Sequence, residues 1–127
     1  MQEYTQLKVW EKAHQLTLKV YRATNSFPRD ELFGLTSQLR RSASSIAANL
    51  AEGCGRGSDP DFARFVQIAL GSAYEVQYHL LLARDLGYLK AASPQSTDDI
   101  NYESLNQGII EVKRMLSSLL QTLKGSS

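Results

Sequence analysis

The chain has 127 residues, 43% of them hydrophobic and 21% charged, with a formal net charge of +1. That length suits one domain able to bury its own core, and the single cysteine, Cys54, excludes an intrachain disulfide framework. The near-neutral balance excludes a polycation. The opening "MQEYTQLKVWEKAHQ" is unlike a secretory signal, and no apolar run approaches the roughly 20 residues of a bilayer span. A cytoplasmic protein without membrane contact is expected.

The first helical segment covers about residues 5–24. Trp10, Ala13, Thr17, Val20 and Tyr21 recur at helical spacing and mark its buried side. Lys8, Lys12, Lys19 and Arg22 form a basic stripe on another side, with Gln15 between them. Residues 1–57 carry eight Lys/Arg against five Asp/Glu, so a nucleic-acid surface belongs on this half if one exists. Such a stripe is either a solvated face or a row of point charges for phosphates. No aromatic residue interleaves with it, so contact with RNA or DNA would be weak, sequence-nonspecific and salt-sensitive. Glu11-Lys12-Ala13-His14 is a lone Glu-x-x-His. Di-iron bundles need two, and His79, the other histidine, follows Glu75 by four. No metal or cofactor is expected.

"NSFPRDE" leads into the second segment, about residues 30–52, with Asp30 as N-cap or first-turn acid. Leu32, Leu35, Leu39, Ala43, Ile46 and Leu50 form its apolar stripe. A polar sector opposite holds Arg41, Ser45, Asn49 and Glu52. A third holds Ser37, Ser44, Ala47, Ala48 and Ala51, with Arg40 at its edge. Small residues let another backbone come close, inside the bundle or between subunits.

The glycine-rich "AEGCGRGSDPDF" follows a helix rather than a strand, lacks a P-loop lysine and runs into two acids that repel phosphate. It is therefore a turn. Gly53 is expected to end the helix with positive φ, and Arg56 to lie beyond it. The third segment, about residues 59–87, starts with Asp59 as N-cap, Pro60 at the first helical position and a Ser58–Asp61 capping box. Its stripe is Phe62, Phe65, Ala69, Ala73, Val76, Leu80 and Ala83. A second face carries Ile68, Ser72, Glu75, His79, Leu82 and Leu86. Glu75 among apolar neighbours needs a partner, and Arg40 or Arg41 is expected to supply it.

The fourth segment, about residues 97–124, starts near Asp98-Asp99 and buries Leu105, Ile109, Val112, Leu116, Leu119 and Leu123 before Gly125. Four helices, short links and no strand pattern predict an all-α, antiparallel up-down-up-down four-helix bundle.

"LRRSASSIAANLAEGCGR" followed by "DFARFVQIALGSAYEVQYHLLLARDLGYL" resembles the bacterial four-helix-bundle family of intervening sequences in 23S ribosomal RNA genes. The same residues are similar to the accessory variability protein of diversity-generating retroelements. Arg40, Arg41, Asn49 to Gly53, Arg56 and Ala69 to Glu75 carry the likeness most specifically. The resemblance implies a cytoplasmic homopentamer without catalytic activity, and its retroelement side implies nucleic acid and a reverse transcriptase as partners. Lys8, Lys12, Lys19, Arg22, Arg41 and Arg56 are the candidate nucleic-acid contacts. Arg40, Asn49, Glu52, Ser72 and Glu75 are candidate structural or assembly residues. The other reading is a protein-interaction module that docks a partner enzyme and binds no nucleic acid.

Overall fold

A computed structural model describes residues 3–125. Four helices account for the fold: α1 (Lys8–Thr24), α2 (Leu35–Cys54), α3 (Asp59–Asp85) and α4 (Tyr102–Gly125). α1 packs on α2 and α4, and α3 packs on α2 and α4. The cross-helix contacts run in opposite senses. Thr17 meets Ala43 while Thr24 meets Arg40. Ser45 meets Ser72 while Gly53 meets Phe62. Gln77 meets Lys113 while Arg84 meets Tyr102. Each neighbour is therefore antiparallel to the last, as the expected up-down-up-down bundle requires.

The heptad-like stripes meet on one central axis. Leu39, Ile46, Leu50, Val66, Val76, Leu80, Leu105, Ile109, Val112 and Leu116 are fully buried there, with Val20 from α1. Burying each such side chain stabilises the fold by about 1.5–3 kcal/mol relative to exposure. Four expected core members do not join them, among them Leu119, which is only partly buried against the core. Trp10 is half-buried, packed edge-on to Tyr4 and stacked on His14. Tyr21 is 44% exposed and Leu32 50% exposed. Tyr21 instead offers its ring to the Arg40 guanidinium, 4.7 Å away.

The helix ends also differ from the periodicity. A short 3-10 turn, Tyr4–Gln6, precedes α1. A second, Arg29–Glu31, and a bend at Gly34 delay α2 to Leu35. Asp30 does not cap α2; the Glu31 carboxylate does the bonding, accepting the Leu35 N–H at 3.1 Å and the Tyr88 hydroxyl at 2.9 Å. Ser58, not Asp59, is the N-cap of α3, and its hydroxyl accepts the Asp61 N–H at 3.3 Å. α3 stops at Asp85, and the chain reverses at Gly87, whose φ of 82° is left-handed. α4 starts at Tyr102 rather than near residue 97, because Asn101 caps it by accepting the Ser104 N–H. Asp98 and Asp99 hold the preceding link instead, pairing with Lys90 and Lys19 at 2.6 and 2.8 Å.

Gly53 corrects the reading of the glycine turn. It is a buried residue inside the last turn of α2, and its φ is not positive. The left-handed position is Gly57, at φ 84°. A Cβ on Gly53 would lie 2.9 Å from Phe62 Cδ1 and 2.9 Å from Phe65 Cβ. The glycine is needed for close approach of α2 and α3, not for backbone freedom.

Gly53→Ala is therefore expected to destabilise. Its helix-propensity gain of about 1 kcal/mol is outweighed by overpacking of about 1–3 kcal/mol, because Phe65 Cβ cannot swing aside. Urea denaturation checks this, and a variant as stable as the parent would contradict it.

Candidate interaction surfaces

The six candidate cations divide into two groups. Lys12 pairs with Glu111 at 2.8 Å, Lys19 with Asp99 at 2.8 Å, and Arg56 with Glu52 at 2.6 Å. Lys19 and Lys12 hold the Asp99 and Glu111 carboxyls below their usual range, through charge-assisted hydrogen bonds first of all. Lys8, Arg22 and Arg41 make no ion pair with a carboxylate among the described residues. The stripe borders a groove of about 410 Å³ between α1 and α4, lined by Lys8, Lys12 and Lys19 but also by Glu11 and Glu111. Gly108 opens that groove's floor, since a Cβ there would press Leu16 at 3.2 Å. The face is mixed in charge rather than basic.

Of the polar sector of α2, Ser45 lies in the seam with α3 and Asn49 bonds back to it. The hydroxyls of Ser45 and Ser72 bond at 2.9 Å. Asn49 donates from Nδ2 to the Ser45 carbonyl at 2.8 Å and to its hydroxyl at 3.0 Å. Glu52 stands outside the seam and holds Arg56, whose guanidinium lies 4.8 Å over the Phe65 ring. The turn thus folds back on α3, which the apparent helix end at Gly53 had hidden. Cys54, the last residue of α2, is buried, and burial first, with Glu3 second, pushes its thiol up. It is a core residue rather than a loop one.

Glu75 does not pair with Arg40 or Arg41. It is exposed and acts electrostatically on His79. Burial lowers His79 more than Glu75 raises it, and its Nδ1 is buried without a hydrogen-bond partner. Arg40 works at the other side of α2. Its Nε donates to Thr24 Oγ1 at 2.8 Å and its Nη2 to Asn25 Oδ1 at 3.2 Å. Asn25 is the C-cap of α1, so Arg40 binds the end of one helix to the start of the next. Arg41 donates to Gln38 at 3.0 Å and is otherwise exposed.

Two apolar surfaces escaped the periodicity. On the α1–α2 edge, Tyr21, Leu32, Phe33 and Arg40 border a cleft that Arg41 and Ser44 complete. Phe33 is 92% exposed. The small-residue sector of α2 lies partly on this outward side, with Ser37 and Ala48 exposed, while Ala47 packs against the core as a partly buried residue. On the α3–α4 edge, Tyr74, Gln77, Tyr78, Leu81, Tyr102 and Asn106 line a cleft of about 360 Å³. Tyr74 and Tyr78 are 58% and 57% exposed. Asn106 Oδ1 is buried there without a partner. The α3–α4 surface is built from residues outside the helical stripes, whereas on the α1–α2 edge Tyr21 and Leu32 belong to the stripes by spacing yet stand in solvent. The only signal was the aromatic spacing of Tyr74 and Tyr78, one turn apart on the polar side of α3.

The molecule is thus a small helical bundle whose chemistry lies in its edges. The chain belongs to the 23S rRNA-intervening sequence protein family, whose model matches residues 5–118. It is also similar to a crystal structure of a protein of unknown function from the S23 ribosomal protein family of Bacteroides thetaiotaomicron. The two share 27% identity over 89% of this chain and 95% of that one, with a TM-score of 0.73. No curated protein matches. The family read from "LRRSASSIAANLAEG" and its neighbours is the one found. No helix among the described residues is long and apolar enough to cross a membrane.

Arg40→Ala should cost about 1–3 kcal/mol, because it strips hydrogen bonds to a charged group from both Thr24 and Asn25. Arg41→Ala should cost less than about 0.5 kcal/mol. Parallel denaturation of the two variants checks the assignment, and equal losses would contradict it.

Proposed function

We propose that this protein is a non-enzymatic, self-associating bundle that acts as an assembly module, in the homopentameric form that the family resemblance implies. The observation that carries this reading is the pair of exposed apolar surfaces on opposite edges of one small bundle. Contiguous exposed patches of this kind mark interaction sites in soluble proteins. The carboxylates support a structural rather than catalytic use. Glu31 and Glu103 accept backbone N–H groups, and Glu52, Asp98, Asp99 and Glu111 hold cations.

Weak nucleic-acid contact is the second reading, favoured by Lys8, Arg22 and Arg41. It is a minor one in a single chain, because half of the candidate cations already hold carboxylates. Repetition around an oligomer would add such patches through avidity.

Sedimentation should give a mass several times the 14.2 kDa of one chain. In the same preparation, DNA or RNA retention should be confined to low salt, since few phosphates are neutralised. A monomer at all concentrations would contradict the self-associating reading. Tight binding that survives 200 mM salt would instead make nucleic acid the principal partner.

A further inference from the structure

We infer that two copies of this chain join head to tail, with Phe33 of one copy seated in the α3–α4 tyrosine cleft of the next. This deepens the self-association reading and rests on it.

The two surfaces differ in shape. Phe33 projects from the α1–α2 connection with 92% of its surface in solvent, beside Leu32 at 50%. Burying an exposed aromatic of this size is worth about 1.5–3 kcal/mol. The α3–α4 cleft has the opposite form. Tyr74, Tyr78 and Tyr102 provide ring walls, and Leu81 provides an apolar flank. Aromatic pairs add about 0.5–1.5 kcal/mol beyond their area. The Oδ1 of Asn106, which lines the cleft, is buried without a hydrogen-bond partner among the described residues.

Placement argues for a second copy over another partner. The α1–α2 and α3–α4 edges are opposite sides of the ring of helices, because neither α1 and α3 nor α2 and α4 are neighbours. One patch therefore cannot fold onto the other within a chain. Both lie towards the same end of the bundle, where Glu31 binds Tyr88 and Phe27 packs on Tyr88 at 5.4 Å. A heterologous contact between surfaces at one level favours closure into a ring over an open filament. The charges agree as well. Arg41 borders the Phe33 cleft with only Gln38 as a bonded partner. Glu75 stands beside Tyr74 and three residues before Tyr78, exposed and with no cation among the described residues. The Arg41–Glu75 attraction that the sequence invites, and a single chain does not form, is available between two chains.

The test is a mixing experiment. Phe33→Asp blocks the projecting side and Tyr78→Asp blocks the cleft, with Leu81→Lys as an independent block. All three residues are exposed, and far-ultraviolet circular dichroism checks that the helices are retained. Each variant alone should sediment as a monomer. A mixture of Phe33→Asp with Tyr78→Asp keeps one intact junction, so it should form a one-to-one dimer and nothing larger. Wild-type assembly by Phe33→Asp, or blocked variants that stay apart on mixing, overturns the inference while leaving self-association itself intact. A monomeric wild-type protein would overturn both.

Discussion

The close approach of α2 and α3 is the constraint on which the rest of the molecule depends. It is made possible by absent and small side chains. Gly53 lets the Phe62 and Phe65 side chains rest on the α2 backbone, with no room for a Cβ at 2.9 Å. Two turns earlier, Ser45 and Ser72 face each other at a hydroxyl–hydroxyl distance of 2.9 Å. These two points fix the register of the pair. A slip of one residue would drive Phe62 or Phe65 against a larger side chain and break the hydrogen bond between the two part-buried hydroxyls. With that pair set, Leu39, Ile46 and Leu50 meet Val66, Val76 and Leu80 on the axis, and α1 and α4 close the remaining two sides.

The polar residues sort by what they hold. Arg40 fastens the end of α1 to α2 through Thr24 and Asn25. Glu31 fastens the start of α2 to Tyr88, just past α3. Lys12 and Lys19 tie α1 to α4 and to the link before it. Such exposed pairs each contribute little to stability, but they remove basic charge from the face that had the strongest claim on phosphate. Phe33, Tyr74, Tyr78, Arg41 and Glu75 are different. Each is exposed, and their contacts within the chain are slight: Lys113 over the Tyr74 ring at 3.9 Å, His79 beside Tyr78, and Gln38 bonded to Arg41. These residues are where the bundle has surface to offer a partner.

The bundle was legible in the sequence because its apolar stripes run unbroken at helical spacing in all four segments. Helix ends were less so, since short turns and side-chain caps decide them. Glu31 and Asn101 took roles that Asp30 and Asp98 appeared to fill, and only the folded geometry shows which carboxylate or amide reaches the open N–H. Gly53 was misread because a glycine near a helix end suggests left-handed backbone, whereas a glycine under an aromatic pair suggests contact. The pairing expected of Glu75 failed because helical phase places it at the outer margin of the α2–α3 seam, in water, where no partner is required. The aromatic surfaces were invisible for a related reason. Pattern analysis assigns exposed residues to solvent, and it does not say which of them share a cleft with residues from another helix.

In the inferred assembly the exposed aromatic edges cover each other in solution. Rapid hydroxyl-radical footprinting of the unmodified protein, over a series of concentrations, tests it most directly. Phe33, Tyr74 and Tyr78 should lose reactivity together as the protein assembles, and to the same fraction at each concentration. Tyr4, packed against Trp10 at 5.2 Å and remote from both edges, should stay constant. Reactivity at Phe33 and Tyr78 that persists in the assembled protein, or protection of one without the other, would contradict the account.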